Sequence, residues 1–86
     1  MNSNKERERR IAAVRGLMAE TFGVPEQRIG VDTRQSDVAE WDSVGHLNLM
    51  LGLEDTFELR LDVEEMGRLT SVEAILDHLE TACLSS

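Results

Sequence analysis

Glu40-Trp41-Asp42-Ser43-Val44-Gly45-His46-Leu47 is the stretch where a polar connection gives way to an apolar helix. Asp42 is a strong N-cap, because its carboxylate can accept a hydrogen bond from a first-turn amide. The helix is therefore expected to start at Asp42 or Ser43 and to reach about Glu58. Such a start places the Ser43 hydroxyl at a helix N-terminus, on the boundary with a loop and open to another enzyme. Downstream run two adjoining apolar rows, Val44-Leu47-Leu51 and Met50-Leu53-Phe57. A stripe this wide marks a central helix with several neighbours. Gly45 and Gly52 weaken it by roughly 1 kcal/mol each relative to alanine. Close packing is a reason for Gly52, while nothing in the sequence accounts for Gly45.

Upstream, Ile11, Val14, Met18 and Phe22 recur at three- and four-residue steps. That spacing predicts a helix from about Asn4 to Thr21. Gly23-Val24-Pro25 ends it, since proline lacks the amide hydrogen and disfavours helix in the residue before it. A long polar connection follows, from about Pro25 to Trp41, with Ile29, Val31 and Val38 expected to hold it against the helices. A connection of that length is commonly functional or partly disordered. Downstream, a short helical turn is expected over about Asp62 to Gly67. Thr70-Ser71-Val72-Glu73 matches a capping box. The last helix then runs to about Cys83, with Val72, Ile75, Leu76 and Leu79 facing inward. The predicted fold is all-α. It is a small four-helix bundle, with three main helices, one short one, and a long loop between the first two. The expected core is Ile11, Val14, Met18, Phe22, Leu47, Met50, Leu53, Phe57, Ile75 and Leu79.

Eighty-six residues, 41% of them hydrophobic, support one small domain, 1–86, with fraying expected at 1–4 and 84–86. A large pocket with several converging catalytic groups is hard to house at this size. The single Cys83 excludes an internal disulfide framework and a cysteine metal cluster, and no metal site is expected. The polar start Met1-Asn2-Ser3-Asn4-Lys5-Glu6-Arg7 is unlike a secretory signal, and no apolar run is long enough to span a bilayer. A cytoplasmic location is the expectation. The net charge of -8 is uneven. Residues 1–35 hold seven basic and five acidic side chains, a balance of +2, whereas residues 36–86 hold two and twelve, a balance of -10. Such an acidic half disfavours nucleic acid and suits basic protein partners; it is also what an ordinary solvated surface looks like.

With these segments in order, the chain from Phe22 to Leu79 resembles an acyl carrier protein. The likeness rests on Phe22-Gly23-Val24 closing the first helix, the long loop, and Asp42-Ser43-Val44 heading the second. Leu53-Glu54-Asp55-Thr56-Phe57 closes that helix, a short acidic turn follows, and Leu69-Thr70-Ser71-Val72 opens the last helix. Asp-Ser-Val alone is a weak signal; its position among the other segments is a strong one. The resemblance implies that a phosphopantetheinyl transferase, using magnesium, moves 4'-phosphopantetheine from coenzyme A onto Ser43. The thiol of that arm would carry acyl groups as thioesters in fatty acid, polyketide or specialised lipid synthesis. The carrier would catalyse nothing itself. It would present its cargo to acyl-loading, ketosynthase or acyltransferase-type enzymes with basic docking patches, and it is expected to be a monomer.

The chain departs from the family pattern at Val44, where leucine is usual, and at Gly45 and Asn48, where fatty acid carriers tend to be acidic. Acidic groups return only at Glu54, Asp55 and Glu58, which are the expected partner contacts together with His46 and Asn48. These departures point to a dedicated carrier rather than the housekeeping one. His46 lies one turn after Ser43, so a Ser-His hydrolase pair is a possible reading, but no third group or oxyanion site accompanies it. Contact with the arm or a partner, or exposure to water, is the expectation. Trp41 shelters the base of the arm, marks a partner contact, or anchors the loop to the core. Met50 and Met66 either line an adaptable groove or belong to plain core. His78 shows no partner in the sequence.

Two rival functions stay in view. The first is calcium binding at Asp62 to Glu73, where Asp62, Glu64, Gly67, Leu69 and Glu73 fall on template positions of a helix-loop-helix site. Met66 breaks that template by offering no oxygen where a ligand belongs. The second is an unmodified, carrier-like docking or regulatory subunit, in which Ser43 would look the same.

Overall fold

The computed structural model describes the backbone from Asn2 to Leu84 and the side chains of residues 5–82. Four helices form: α1 (Asn2–Phe22), α2 (Ser43–Phe57), α3 (Val63–Arg68) and α4 (Val72–Leu84). No strand occurs among the described residues. This is the all-α, four-helix arrangement expected, and the start of α2 falls where Asp42 predicts it. Of the residues where fraying is expected, 1–4 and 84–86, only the backbone of 2–4 and 84 is described, as helix. Met1, Ser85 and Ser86 lie outside the described residues.

Helix α1 ends on a left-handed residue, Gly23 at φ 69°, and the Val24 amide reaches back to the Ala19 carbonyl at 3.1 Å. This is a Schellman closure, with Val24 buried beneath it. Proline at 25 therefore follows a helix that glycine has already ended. The connection from 24 to 42 is ordered by local turns and by two anchors. Short 3-10 turns form at Glu26–Arg28 and Gln35–Asp37. Arg15 of α1 donates from Nε to the Ile29 carbonyl at 2.6 Å and from a terminal nitrogen to the Glu26 carbonyl at 2.8 Å. At the far end, Arg34 and Ser71 form an isolated antiparallel bridge. There the Gln35 amide meets the Thr70 carbonyl, and the Val72 amide meets the Thr33 carbonyl, each at 2.9 Å.

The core draws Val14, Met18 and Phe22 from α1, and Leu49, Met50 and Leu53 from α2. Val72, Ile75, Leu76 and Leu79 come from α4, while Ile29, Val38 and Trp41 come from the connection. Ile11 and Phe57 are half-buried against it. Gly52 faces Leu17 of α1. A Cβ there would meet a Leu17 methyl at 2.9 Å, so the packing expected of this glycine is what the structure shows.

Four expectations are corrected. Leu47 is not core: it is 52% exposed, and its row-mates Val44 and Leu51 are 69% and 51% exposed. Leu49, absent from the expected core, is fully buried instead. The row Met50-Leu53-Phe57 packs inward as expected, but apolar residues on most sides of α2 hide from the sequence that Leu49, and not Leu47, joins it. Val31 is 47% exposed and holds nothing down. The α4 cap is Ser71, whose Oγ accepts from the Ala74 amide at 3.0 Å, one residue later than a box built on Thr70. A complete capping box forms instead at α3, where the Asp62 and Glu65 side chains each accept from the other's amide.

Candidate functional site

Residues 40–46 build the head of α2. Asp42 is in an extended conformation, and its Oδ1 accepts from the Gly45 amide at 2.8 Å. Its backbone carbonyl accepts from the His46 amide at 2.7 Å. One carboxylate thus satisfies an amide that the helix itself cannot, as the N-cap reading requires. Ser43 is the first helical residue and is exposed. Its hydroxyl has no hydrogen-bond partner among the described residues.

Gly45 has a steric reason. A Cβ built on it would lie 2.5 Å from the Glu40 carbonyl oxygen and 3.2 Å from the Phe22 ring. The carbonyl is backbone and cannot swing aside as the end of a side chain can. Position 45 therefore faces the packed underside of the helix head, not the solvent, and the preceding loop occupies the space of any side chain. The sequence carried a faint sign of this, since glycine inside a helix is unfavourable without a packing reason.

Trp41 is 2% exposed and anchors the loop. Its rings stack on Phe22, with centroids 5.6 Å apart, and on His46 at 6.2 Å. The indole Nε1–H donates to His46 Nδ1 at 2.9 Å. Indole nitrogen can only donate, so Nδ1 must be the unprotonated nitrogen of a neutral imidazole. Nε2–H then donates to the Met66 carbonyl in α3 at 2.6 Å. His46 thereby ties three segments together: the loop before Ser43, α2 itself, and α3. This half-buried arrangement leaves neither ring nitrogen free. Sequence reasoning singled out both residues and missed their pairing, because a contact five residues apart across a helix cap has no periodic signature.

The other expected contact residues fall into two groups. Asn48 and Asp55 are exposed, and neither has a side-chain partner among the described residues. Glu54 is half-buried, and its Oε2 accepts from the Leu61 amide at 2.8 Å. That carboxylate is committed to holding the turn after α2. Glu58 is exposed on a left-handed backbone, with φ 51° and ψ 52°, where it terminates the helix.

Away from this end, His78 does have a partner: its Nε2 lies 3.8 Å from a Glu65 carboxylate oxygen. Met50 is fully buried core and Met66 is half-buried against it. The Cys83 side chain lies outside the described residues. The segment compared with a calcium loop is helical over Val63–Arg68, with Asp62 and Glu65 engaged in capping. No group of three or more potential metal ligands occurs among the described residues. The calcium template is therefore not formed.

The fold is a small helical bundle with Ser43 at the head of its second helix. A family model described as a phosphopantetheine attachment site matches residues 12–79 of the chain. The chain belongs to that phosphopantetheine-attachment family. It is a carrier protein whose prosthetic group is a covalently attached 4'-phosphopantetheine. Carrier domains of this family work with a phosphopantetheinyl transferase and with partner enzymes, and they are typically non-catalytic. No helix among the described residues is long and apolar enough to cross a membrane.

Proposed function

We propose that Ser43 is the residue that carries the 4'-phosphopantetheine and that the chain transports acyl intermediates as thioesters on that arm. The observation that carries this reading is the Ser43 hydroxyl, which is exposed and unbonded at the head of α2. The residues around it fit the group. The Asp42 carboxylate is held by the Gly45 amide, which partly offsets its charge beside an incoming phosphate. First-turn amides and the helix dipole favour an anion at this end. A serine hydroxyl is a weak nucleophile unaided, and the described residues offer no base bonded to it; the transferase supplies activation. When attached, the arm contributes a terminal thiol for thioester formation.

The partner surface in this reading is the outward side of α2, and it differs from an acidic face. Beyond the capping Asp42, the first half of α2 carries no acidic group, and Val44, Leu47 and Leu51 are exposed around Asn48. Acidic groups that face solvent, Asp55 and Glu58, come only at the far end. Partners selected by such a surface need an apolar contact beside the arm and a basic contact further along. That combination supports a carrier dedicated to one fatty acid, polyketide or specialised lipid pathway, acting without catalysis of its own in the cytoplasm.

The test is intact mass before and after incubation with coenzyme A, magnesium and a broad-specificity phosphopantetheinyl transferase. The wild-type chain is expected to gain one phosphopantetheine, and Ser43→Ala none. Ser43→Ala should also keep the wild-type melting temperature, because the side chain is exposed and makes no hydrogen bond among the described residues. A gain that persists in Ser43→Ala would overturn the assignment. No gain with several transferases would favour a docking subunit instead.

A further inference from the structure

Both ring nitrogens of His46 are hydrogen-bonded within the chain, and the two bonds differ in what they tolerate. We propose that His46 is a proton-sensitive positioning residue: neutral, it fastens Trp41 and the end of α3 to α2; protonated, it releases Trp41. The inference goes beyond the carrier reading and does not depend on it. In the imidazolium form both nitrogens are donors. The indole Nε1–H, 2.9 Å from Nδ1, would then face another N–H. Trp41 is buried, so water has little access to take over as acceptor. The bond from Nε2–H to the Met66 carbonyl survives protonation and gains charge assistance. The proton therefore acts on one side of the clasp, at Trp41, two residues before Ser43.

No counter-ion competes with this logic among the described residues. On the loop side, Glu40 lies 3.9 Å from Arg28 and the Asp42 carboxylate holds the Gly45 amide. On α3, Glu65 is engaged with the Asp62 amide and stands 3.8 Å from His78, while Glu64 and Arg68 are exposed. Glu20 of α1, near Phe22 in sequence, is exposed as well, and α2 has no charged side chain between His46 and Glu54. None of these forms an ion pair with His46. The sign follows from the hydrogen bonds: the clasp is intact while the imidazole is neutral and is lost as pH falls. The chain's other histidine, His78, stands 3.8 Å from a Glu65 oxygen. A test must silence it.

The sole tryptophan is a built-in reporter. In a His78→Gln chain, pH is lowered until the imidazole nitrogen-15 shifts report that His46 has taken up a proton. Trp41 emission is followed alongside nitrogen-15 spectra of the imidazole and the indole. At the high end, His46 is expected as the Nε2–H tautomer with a slowly exchanging indole N–H. A single one-proton transition should then remove that protected signal and lower the emission, and His46→Gln should abolish the transition. An Nδ1–H tautomer at the high end overturns the proposal. So does an indole signal that ignores imidazole protonation, or a transition that persists without His46. Should His46→Gln fail to fold, the spectra of the His78→Gln chain decide alone.

Discussion

At its head, α2 is packed so closely that residue 45 has no room for a side chain, yet Ser43, two residues away, is free. At its tail the relation is reversed. Glu58 has room around it but sits on a left-handed backbone that suits glycine better, and Glu54, which looks like a surface charge in sequence, is tied to the Leu61 amide. The head uses a residue without a side chain to bring the loop in close, and so fixes where the serine stands. The tail accepts an unfavourable backbone conformation and places carboxylates there. A precisely placed hydroxyl needs rigid support beneath it, whereas a charge acting over several ångströms does not.

Three substitutions break or sharpen this contrast. Gly45→Ala should have the largest effect. Its Cβ would collide with the Glu40 carbonyl, and overpacking of that kind costs about 1–3 kcal/mol. Urea unfolding should show a lower midpoint with unchanged slope; wild-type stability would mean that the loop and the helix head are not rigidly joined. Asp42→Ala comes next, at about 1 kcal/mol for a lost N-cap. Its amide exchange should quicken in the first turn of α2 and not at Leu59. A uniform change along the helix would deny that the two ends are independent. Glu58→Gly should have the smallest effect and the opposite sign, a gain of about 0.5–1 kcal/mol as the left-handed residue loses its steric penalty. A loss of stability there would show that the Glu58 side chain supports the tail in some way its exposure does not suggest.

Much of this was legible in the sequence, and the illegible part has physical causes. Asp42 announced the start of α2 because capping is local chemistry that needs no knowledge of neighbours. The first and last helices were readable because their apolar residues lie on one stripe. The inward face of α2 was readable only in part: Met50 and Leu53 were placed in the core and are buried there, but Leu47, Leu49 and Leu51 look alike and only the placement of α1 and α4 separates them. The same limit hid Gly45 and the link from Trp41 through His46 to Met66. Each is a contact between segments that periodicity treats separately. At the site, the type of each residue was readable and its partner was not. Ser43 and Asp42 could be placed from capping alone, whereas Glu54, grouped with the surface acids, turned out to hold its own backbone.

The two hydrogen bonds that join residues 33–35 to 70–72 have a topological consequence. They close the intervening backbone into a ring, and the whole of α2 and α3 lies inside it. A closed ring cannot splay on one side without bending on another. Any partner that pries α3 away from α2 must break the bond from His46 to the Met66 carbonyl, and must also undo this tie or flex the links beside it. Ser43 stands on this ring, so its place depends on the pairing of 33–35 with 70–72 as well as on its own helix.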